Sequence, residues 1–259
     1  MPGLFDTRIT RRRFGIASGS ALASVAFGEA CLVATRTPVD SDGRLTARPA
    51  NGIVTSLASG ALGLGSGDRD GVIQMPSSPA TGRVPLLVFL HGATQSGAGM
   101  LRRIGPAADR AGVAVLAPDS RGSTWDAIRD GFGVDVAFLN RALEHVFSRL
   151  AVDPARVALG GFSDGASYAI PLGLANGDLF PRIAAFSPGF VISAESHGKP
   201  RVFVSHGTSD QILPIDQCSR VIVPRLRSLG YDVTFREFEG RHEVPAAIAD
   251  DGLKWIAAL

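Results

Sequence analysis

The sequence predicts an α/β fold in which helices flank a mostly parallel, doubly wound sheet. From about residue 84 onward, apolar segments of strand length alternate with segments of helical periodicity. The run Val84–Leu90 is apolar throughout, as expected for a parallel strand buried on both faces. With 259 residues, of which 45% are hydrophobic, the chain can bury one large core. We therefore expect a single folded domain over residues 52–259.

Charge and residue spacing exclude several classes of partner. The formal net charge is +2 and no basic run lies beyond the amino terminus, so we expect no nucleic-acid partner. No grouping of side chains has metal-ligand spacing, and we predict neither a metal nor another cofactor. Cys31 and Cys218 are expected to stay unpaired. The sequence does not define the oligomeric state.

The first 30 residues are typical of a targeting sequence. Thr10-Arg11-Arg12-Arg13-Phe14 matches the twin-arginine pattern, and a modestly apolar segment rich in Ala, Gly and Ser follows. This segment is too short and too weakly apolar for a membrane span, and an amphipathic helix or an unstructured tail is the other interpretation. We assign residues 1–30 to a twin-arginine signal peptide, which predicts a periplasmic or secreted protein.

The end of this targeting segment allows two interpretations. Gly28-Glu29-Ala30 has small residues where a signal peptidase requires them, whereas Cys31 would carry a lipid anchor if the chain were a lipoprotein. Gly28 is not the aliphatic residue expected before a lipidated cysteine, so plain cleavage is the preferred interpretation. Residues 31–51 are polar and rich in turn formers, and we assign them to a linker.

Strands and helices are expected in regular order after the linker. Gly52–Leu57 and Arg69–Gln74 predict an antiparallel edge of the sheet. The further predicted strands are Val84–Leu90, Val113–Pro118, Arg156–Gly160, Ile183–Phe186, Val202–Ser205 and Val233–Phe238. The predicted helices are Gly97–Ala111, Asp130–Leu150, Gly165–Leu174, Gln217–Leu229 and Val244–Ala257. Pro171 should kink the third of these helices or remove one of its hydrogen bonds.

The pentapeptide Gly161-Phe162-Ser163-Asp164-Gly165 has the G-x-S-x-G pattern of a nucleophile elbow. It follows an apolar strand and precedes a helix, and this context makes the short pattern informative. In such an elbow the serine lies at the tip of a strained turn, where flanking glycines avoid steric clashes. We therefore predict that Ser163 is a nucleophile.

Two later strand ends supply an acid and a base for Ser163. Asp210 follows the strand Val202–Ser205, and His242 follows the strand Val233–Phe238. Nucleophile, acid and base thus occur in the chain order Ser, Asp, His, each just after a strand. The later Asp216 is instead expected in the first turn of a helix. We predict a catalytic triad of Ser163, Asp210 and His242.

An oxyanion hole is expected beside the nucleophile. Its two donors should be the backbone N–H groups of Asp164, directly after the serine, and of Ala93, in the loop after His91-Gly92. His91 precedes the serine in the chain, so we expect it to hold the oxyanion loop rather than act as base. His206 is expected to be structural, and His145 and His197 to lie at the surface.

Seven segments together resemble the phospholipase/carboxylesterase-like branch of the α/β-hydrolases, close to esterases of the polyhydroxybutyrate depolymerase type. These segments are Pro85–Gly92, Ala117–Asp126, Asp135–Leu139, Gly161–Gly165, Phe186–Phe190, Ser205–Asp210 and Gly240–His242. The resemblance covers about residues 60–258 and implies the α/β-hydrolase fold without a cap domain. It implies the same triad and oxyanion donors. It departs from the family at Ala93-Thr94-Gln95, where relatives have a glycine-rich turn, and at Pro171.

These features predict a serine carboxylesterase that forms an acyl-enzyme. A peptidase or an acyltransferase on the same fold stays open, because a triad does not define the scissile bond or the acceptor. A non-catalytic binding protein is the other alternative, although no triad member is missing.

The expected partner is a small-molecule ester. Residues 187–200 are too few for a helical lid, so we expect an open site walled by Thr94, Gln95, Trp125 and Phe190. Short acyl chains should be preferred. Core packing is the other interpretation of the two aromatic residues.

Overall fold

The computed structural model describes residues 42–51, 57–65, 68–78, 82–129, 131–192 and 194–258. The signal peptide, Cys31 and most of the predicted strand Gly52–Leu57 lie outside these residues. The strands are β1 Gly60–Ala61, β2 Gly71–Gln74, β3 Val84–Leu90, β4 Ala114–Pro118, β5 Val152–Phe162, β6 Arg182–Phe186, β7 Arg201–Gly207 and β8 Val233–Phe238. The α-helices are α1 Gly97–Arg110, α2 Val134–Phe147, α3 Asp164–Ala175, α4 Ser219–Ser228 and α5 Ala246–Ala257.

Among the described residues, eight strands form one sheet with the order β1-β2-β4-β3-β5-β6-β7-β8. β4, β3, β5, β6, β7 and β8 are parallel to one another, whereas β2 pairs antiparallel with both β1 and β4. The mostly parallel sheet is therefore confirmed; its antiparallel edge is formed by β2 with β1, and the predicted strand Gly52–Leu57 stays a prediction. Because the six parallel strands end at one edge, the loops after β3, β5, β7 and β8 can meet there.

Alternating residues of the strands divide the core into two layers. In β3, Leu86 and Val88 pack with α2, while Leu87 and Phe89 pack with α1 and α5 on the other face. Helices α3 and α4 cover β6 and β7 on the α2 side. Every residue of β3 is buried, as its unbroken apolar sequence predicts.

The helix boundaries differ from the predictions mainly around α2. The predicted helix Asp130–Leu150 is shorter, at Val134–Phe147, and a 3-10 turn at Asp126–Ile128 precedes it. Asp126 and Asp135 each accept the other's backbone N–H, at 2.8 and 2.7 Å, which closes the loop before the helix. The spacing of apolar residues carries no information about these two hydrogen bonds, so it overestimates the length of the helix.

Residues 42–51 pack on the domain, although the composition predicts a linker. Leu45 and Ala47 are buried in the core. Their backbone N–H groups donate to the side-chain amides of Asn176 and Asn140, at 2.8 and 2.9 Å. Side-chain acceptors thus replace the secondary-structure partners that this irregular segment lacks. The folded unit therefore begins before residue 52.

Candidate active site

The turn between β5 and α3 has the geometry of a nucleophile elbow. Ser163 has φ 58° and ψ −120°, a strained conformation for a residue with a side chain. A Cβ on Gly161 would lie 2.4 Å from the backbone of Gly165. A Cβ on Gly165 would lie 2.2 Å from the carbonyl oxygen of Leu90. Both glycines are therefore required by close backbone contact, and Ser163 stays half-exposed at the tip.

Ser163, His242 and Asp210 form one chain of hydrogen bonds. The Ser163 hydroxyl lies 2.9 Å from His242 Nε2, and His242 Nδ1 lies 2.6 Å from Asp210 Oδ2. Because a carboxylate can only accept, Nδ1 carries the imidazole proton, and Nε2 is left to accept from the serine. The structure thus brings together all three residues of the predicted triad.

Asp210 is fixed by donors on both of its oxygens. Oδ1 accepts the backbone N–H groups of Ile212 and Leu213, each at 2.9 Å. Oδ2 also lies 3.2 Å from His206 Nε2. The Asp210 side chain is completely buried, whereas that of His242 is 10% exposed. The carboxylate therefore has one orientation, aimed at His242.

Backbone contacts hold the loops of Asp210 and His242 together. Thr208 and Ser209 donate their N–H groups to Phe238 and Gly240, at 2.8 and 2.9 Å. A Cβ on Gly207 would lie 2.3 Å from the Arg241 carbonyl oxygen, so only glycine allows this approach. The loop after β8 is thereby held against the loop after β7, which brings the base to the acid.

The sequence predicts only a structural role for His206, but its ring also contacts Asp210 of the predicted triad. Its Nδ1 lies 2.7 Å from the Ser219 hydroxyl, and its Nε2 lies 2.7 Å from the Leu213 carbonyl oxygen. A carbonyl only accepts, so Nε2 carries the proton and also faces Asp210. Burial lowers the pKa of His206, which keeps the ring neutral. A neutral donor beside Asp210 leaves the carboxylate charge available to His242.

The two predicted oxyanion donors flank Ser163. Ala93 is exposed in the loop after β3, and Asp164 begins α3. Neither backbone N–H has a hydrogen-bond acceptor among the described residues, and the first N–H groups of a helix have no partner within it. The Asp164 carboxylate accepts from the Thr124 hydroxyl at 2.6 Å, a contact that the sequence did not predict.

His91 holds the oxyanion loop, as predicted. Its Nδ1 lies 2.7 Å from the Gly92 carbonyl oxygen, and its Nε2 accepts the Ser120 N–H at 2.9 Å. The Gly92 carbonyl belongs to the same peptide plane as the Ala93 N–H, so this bond orients the donor. Burial lowers the pKa of His91, which favours the neutral ring that these bonds require.

Arg69 is a supporting residue that the sequence analysis missed. Its guanidinium lies 3.0 Å from His91 Nε2 and 3.3 Å from the Gln95 carbonyl oxygen, and it also donates to the Ser120 carbonyl and hydroxyl. One planar group thus joins β2 to both ends of the oxyanion loop. Arg69 lies before the first buried strand, and no motif marks it.

The predicted substrate-binding residues have different positions. Thr94 is exposed with φ 60°, and its N–H donates to the Ser123 carbonyl oxygen at 2.7 Å. Gln95 and Phe190 are half-buried. Trp125 is not at the rim: it is fully buried between His91 and Tyr168, and its indole N–H donates 2.8 Å to the His91 carbonyl oxygen. The prediction for Trp125 is corrected, since core packing satisfies both its ring and its polar atom.

The remaining candidate polar residues lie apart from this site. Asp216 is exposed and pairs with Arg220 at 2.7 Å, as expected for a residue at the start of a helical segment. His145 and His197 are half-buried. Among the described residues no cluster of three or more His, Cys, Asp or Glu side chains could bind a metal ion. In the same part of the chain no helix is long and apolar enough to span a bilayer.

Residues 130–258 match the phospholipase/carboxylesterase family. An esterase of Nocardia uniformis subsp. tsuyamanensis named NocK is 31% identical over 157 residues, which are 56% of this chain and 45% of NocK. Feruloyl esterase C of Emericella nidulans is 30% identical over 102 residues, 39% of this chain and 37% of that enzyme. The chain thus spans less than half the length of these curated relatives.

Solved esterase structures share the fold. A truncated carbohydrate esterase from gut microbiota superposes with a TM-score of 0.61 at 15% identity, covering 81% of this chain and 98% of that one. Esterase PE8 gives a TM-score of 0.56 at 22% identity, over 71% of this chain and 97% of PE8. The predicted α/β-hydrolase fold and the resemblance to the phospholipase/carboxylesterase branch are therefore confirmed.

Proposed function

We propose that this chain, which has the α/β-hydrolase fold, is an exported serine carboxylesterase that hydrolyses short-chain esters through an acyl-enzyme. The observation that carries the proposal is the hydrogen-bonded chain from Ser163 through His242 to Asp210, with both contacts below 3 Å. Ester hydrolysis is also what the names of NocK and feruloyl esterase C describe for those proteins.

Acylation begins with the proton of Ser163. As the serine oxygen attacks the ester carbonyl, His242 Nε2 takes the hydroxyl proton, and the buried carboxylate of Asp210 stabilises the resulting imidazolium. The carbonyl π electrons move to its oxygen, which faces the N–H groups of Ala93 and Asp164. The intermediate collapses, the carbon–oxygen bond breaks, and His242 returns the proton to the departing alcohol.

Deacylation repeats these steps with water. His242 removes a proton from the water molecule as it attacks the acyl carbonyl, and the carboxylic acid leaves while Ser163 regains its proton. Neither acylation nor deacylation, as proposed, involves an oxidation, a reduction or an external cofactor. The same triad and the same two backbone N–H donors therefore serve both halves of the reaction.

An open site supports the preference for short acyl chains. The described residues between β6 and β7 contain no helix, so no lid is built from this segment. Half-buried Phe190 and exposed Ile212 provide limited apolar surface near the loops of the site. Each fully buried CH₂ contributes about 0.8 kcal/mol, so a shallow surface rewards only the first few carbons. We expect hydrolysis of acetyl to butyryl esters without activation at a lipid interface.

A panel of matched substrates tests the proposed reaction. Acetyl, butyryl and palmitoyl esters, methyl ferulate, an acetyl thioester and an anilide are compared at equal concentration, with Ser163→Ala as the control. Turnover of butyryl esters that the variant lacks supports the proposal. Faster cleavage of the anilide, or acyl transfer to an added alcohol in place of hydrolysis, would assign the chain to the peptidase or acyltransferase alternatives.

A serine-directed probe separates an enzyme from a binding protein. A fluorophosphonate should label the wild-type protein at Ser163 and leave Ser163→Ala unlabelled, because labelling requires the activated hydroxyl. Absence of labelling together with absence of turnover would favour a non-catalytic binding protein.

Export is the second part of the proposal and is supported by the motif Thr10–Phe14. Replacing Arg11 and Arg12 by Lys should retain the protein, folded and active, in the cytoplasm. Unchanged extracytoplasmic activity would contradict a twin-arginine route. Mass spectrometry of the mature amino terminus then distinguishes plain cleavage from a lipid anchor on Cys31.

A further inference from the structure

A cavity lies beside the oxyanion loop. It has a volume of about 360 Å³ and is lined by Gln95, Ser96, Gly99, Arg102 and Arg103. These positions recur at intervals of three and four residues, so they share one face of the first turns of α1. Gly99 has no side chain, and this leaves space between Ser96 and the two arginines.

The charge of this cavity is positive. Arg102 and Arg103 are exposed, and no carboxylate of the described residues lies within ion-pair distance of either. Arg102 makes only a 3.4 Å contact with the carbonyl oxygen of Ala98 in its own helix. By contrast, Arg110 at the end of the same helix pairs with Asp250 at 2.6 Å. The two cavity arginines thus keep their hydrogen-bonding capacity for a ligand.

Gln95 connects this cavity to the nucleophile. A Cβ placed on Gly92 would lie 3.3 Å from Ser163 Cβ and 3.5 Å from Gln95 Oε1. Gln95 therefore lines the cavity and also has its side-chain oxygen close to Gly92 and Ser163. To reach the cavity, an ester bound at Ser163 must extend past Gln95.

The helix terminus itself adds little to anion binding here. The Gly97 N–H donates to the Asp119 carboxylate at 2.7 Å, and the Gly99 N–H donates to the Ser96 hydroxyl at 3.2 Å. Both donors are occupied, and Asp119 is buried behind them. Recognition of an anion must therefore come from the guanidinium groups.

We propose that this cavity is a subsite for a carboxylate on the ester substrate, bound by Arg102 and Arg103. The inference rests on the proposed esterase function and adds a substrate class to it: small esters that carry a negative charge a few bonds from the scissile carbonyl. The planar guanidinium pairs with a carboxylate through two parallel hydrogen bonds, which suits this group better than a neutral one.

Matched pairs of esters test the subsite. The first pair is the 4-nitrophenyl monoester of glutaric acid and 4-nitrophenyl pentanoate, which differ by a carboxylate on the acyl side. The second pair is 3-carboxyphenyl butyrate and phenyl butyrate, which differ on the alcohol side. After subtraction of spontaneous hydrolysis, kcat/KM should favour the charged member of one pair by about tenfold at low salt. The pair in which the charged ester is preferred shows whether the acyl side or the alcohol side of the substrate enters the cavity.

The double variant Arg102→Gln/Arg103→Gln should abolish the preference and leave hydrolysis of the neutral esters unchanged. Arg110→Gln removes a charge from the same helix outside the cavity and should keep the preference. Raising NaCl from about 10 mM to about 500 mM should reduce the preference in the wild type and in Arg110→Gln, because salt screens exposed charges. Retained turnover of neutral esters shows that the variants are folded.

The outcomes separate the subsite from the esterase function. Hydrolysis of neutral esters with no preference for either charged ester, or a preference that survives the double variant, would overturn the subsite alone. If no ester is hydrolysed, glutarate binding to Ser163→Ala by titration calorimetry is the independent measurement. Binding that the double substitution removes supports the subsite, and no binding overturns it.

Discussion

The two sides of Ser163 are built differently. On the acid–base side, Asp210 and His242 lie in consecutive strand-end loops whose backbones are bonded directly to each other. On the oxyanion side, the Gly92–Ala93 peptide is held by His91, and His91 in turn by Ser120, which follows β4, and Arg69, which precedes β2. Each side contains one buried histidine whose pKa is lowered by burial. His206 contacts Asp210, and His91 contacts the Gly92 carbonyl oxygen. Neither histidine takes part in the proposed proton transfer.

This difference predicts how each side tolerates substitution. The acid–base side depends on two side chains that take part in proton transfer, so their loss removes a chemical step. The oxyanion side uses backbone N–H groups that no substitution except proline deletes, so changes in the side chains around them can only displace the donor. We therefore expect large kinetic losses on one side and graded losses on the other.

The largest effect is expected at Asp210. Asp210→Asn should lower kcat for butyryl esters by about 10⁴-fold, because an amide no longer holds His242 in the correct tautomer or stabilises the imidazolium. The matched control is Asp216→Asn, which removes an exposed carboxylate paired with Arg220. Its kcat should be unchanged. Equal losses in the two variants would remove Asp210 from the proposed mechanism.

A smaller loss is expected at Arg69. Arg69→Met removes the donor shared by His91, Gln95 and Ser120, so the Ala93 N–H should lose its alignment with the developing oxyanion. Complete loss of one such donor costs about 10² to 10³ in kcat, and misalignment should cost about tenfold with KM nearly constant.

Arg83→Met is the matched control for Arg69. Arg83 also binds a backbone carbonyl, that of Val152 at 3.1 Å, but it adjoins the amino end of β3, away from Ser163. Its kcat should match the wild type. A loss of thermal stability in Arg69→Met without a change in kcat would mean that the arginine supports the fold and not the oxyanion loop.

The two sides also differ in how far the sequence predicts them. Ser163, Asp210 and His242 each follow an apolar strand, and parallel strands bring their carboxyl ends together, so chain order alone predicts their meeting. His91 also directly follows a parallel strand, β3, so its place in the oxyanion loop is predicted by the same argument. Arg69 is not predicted by it, because its contact with His91 depends on β2 pairing beside β4, and that register is not encoded in any local pattern.

The errors of the sequence analysis have a common physical origin. Trp125 lies in a loop segment. Its ring is nevertheless buried, because the indole N–H donates to the His91 carbonyl oxygen and the ring packs on Tyr168. Residues 42–51 have linker composition, yet Leu45 is buried because Asn176 accepts its N–H. In both cases burial depends on a hydrogen bond to a residue distant in the sequence. The spacing of apolar residues carries no information about such bonds.

The smallest expected effect concerns acid stability, and it compares the two buried histidines. In each, burial lowers the pKa of the folded protein below the usual value near 6.5. Below that value the unfolded chain binds more protons than the native one, so the free energy of unfolding falls as the pH falls. Each histidine contributes a slope of at most about 1.4 kcal/mol per pH unit.

Asp135 acts in the opposite direction within the same range. Burial raises its pKa to about 6, so the native protein takes up a proton there before the unfolded chain does, and acidification stabilises the fold at this site. The carboxylates with lowered pKa, such as Asp153 and Glu237, respond mainly below pH 5. Between pH 7 and 5.5 the two buried histidines and His145, whose pKa burial also lowers, therefore oppose one aspartate, and stability should decline on acidification.

Urea unfolding at pH 7, 6.5, 6 and 5.5 measures this decline for each side of the site. His206→Gln retains an N–H for the Leu213 carbonyl, and His91→Asn retains one for the Gly92 carbonyl, but neither replacement titrates. Each variant should show a shallower slope than the wild type, whatever its stability at pH 7. A slope that changes only in His206→Gln would mean that the pKa of His91 is the same in the native and unfolded states, which would contradict the lowered pKa on which this prediction rests.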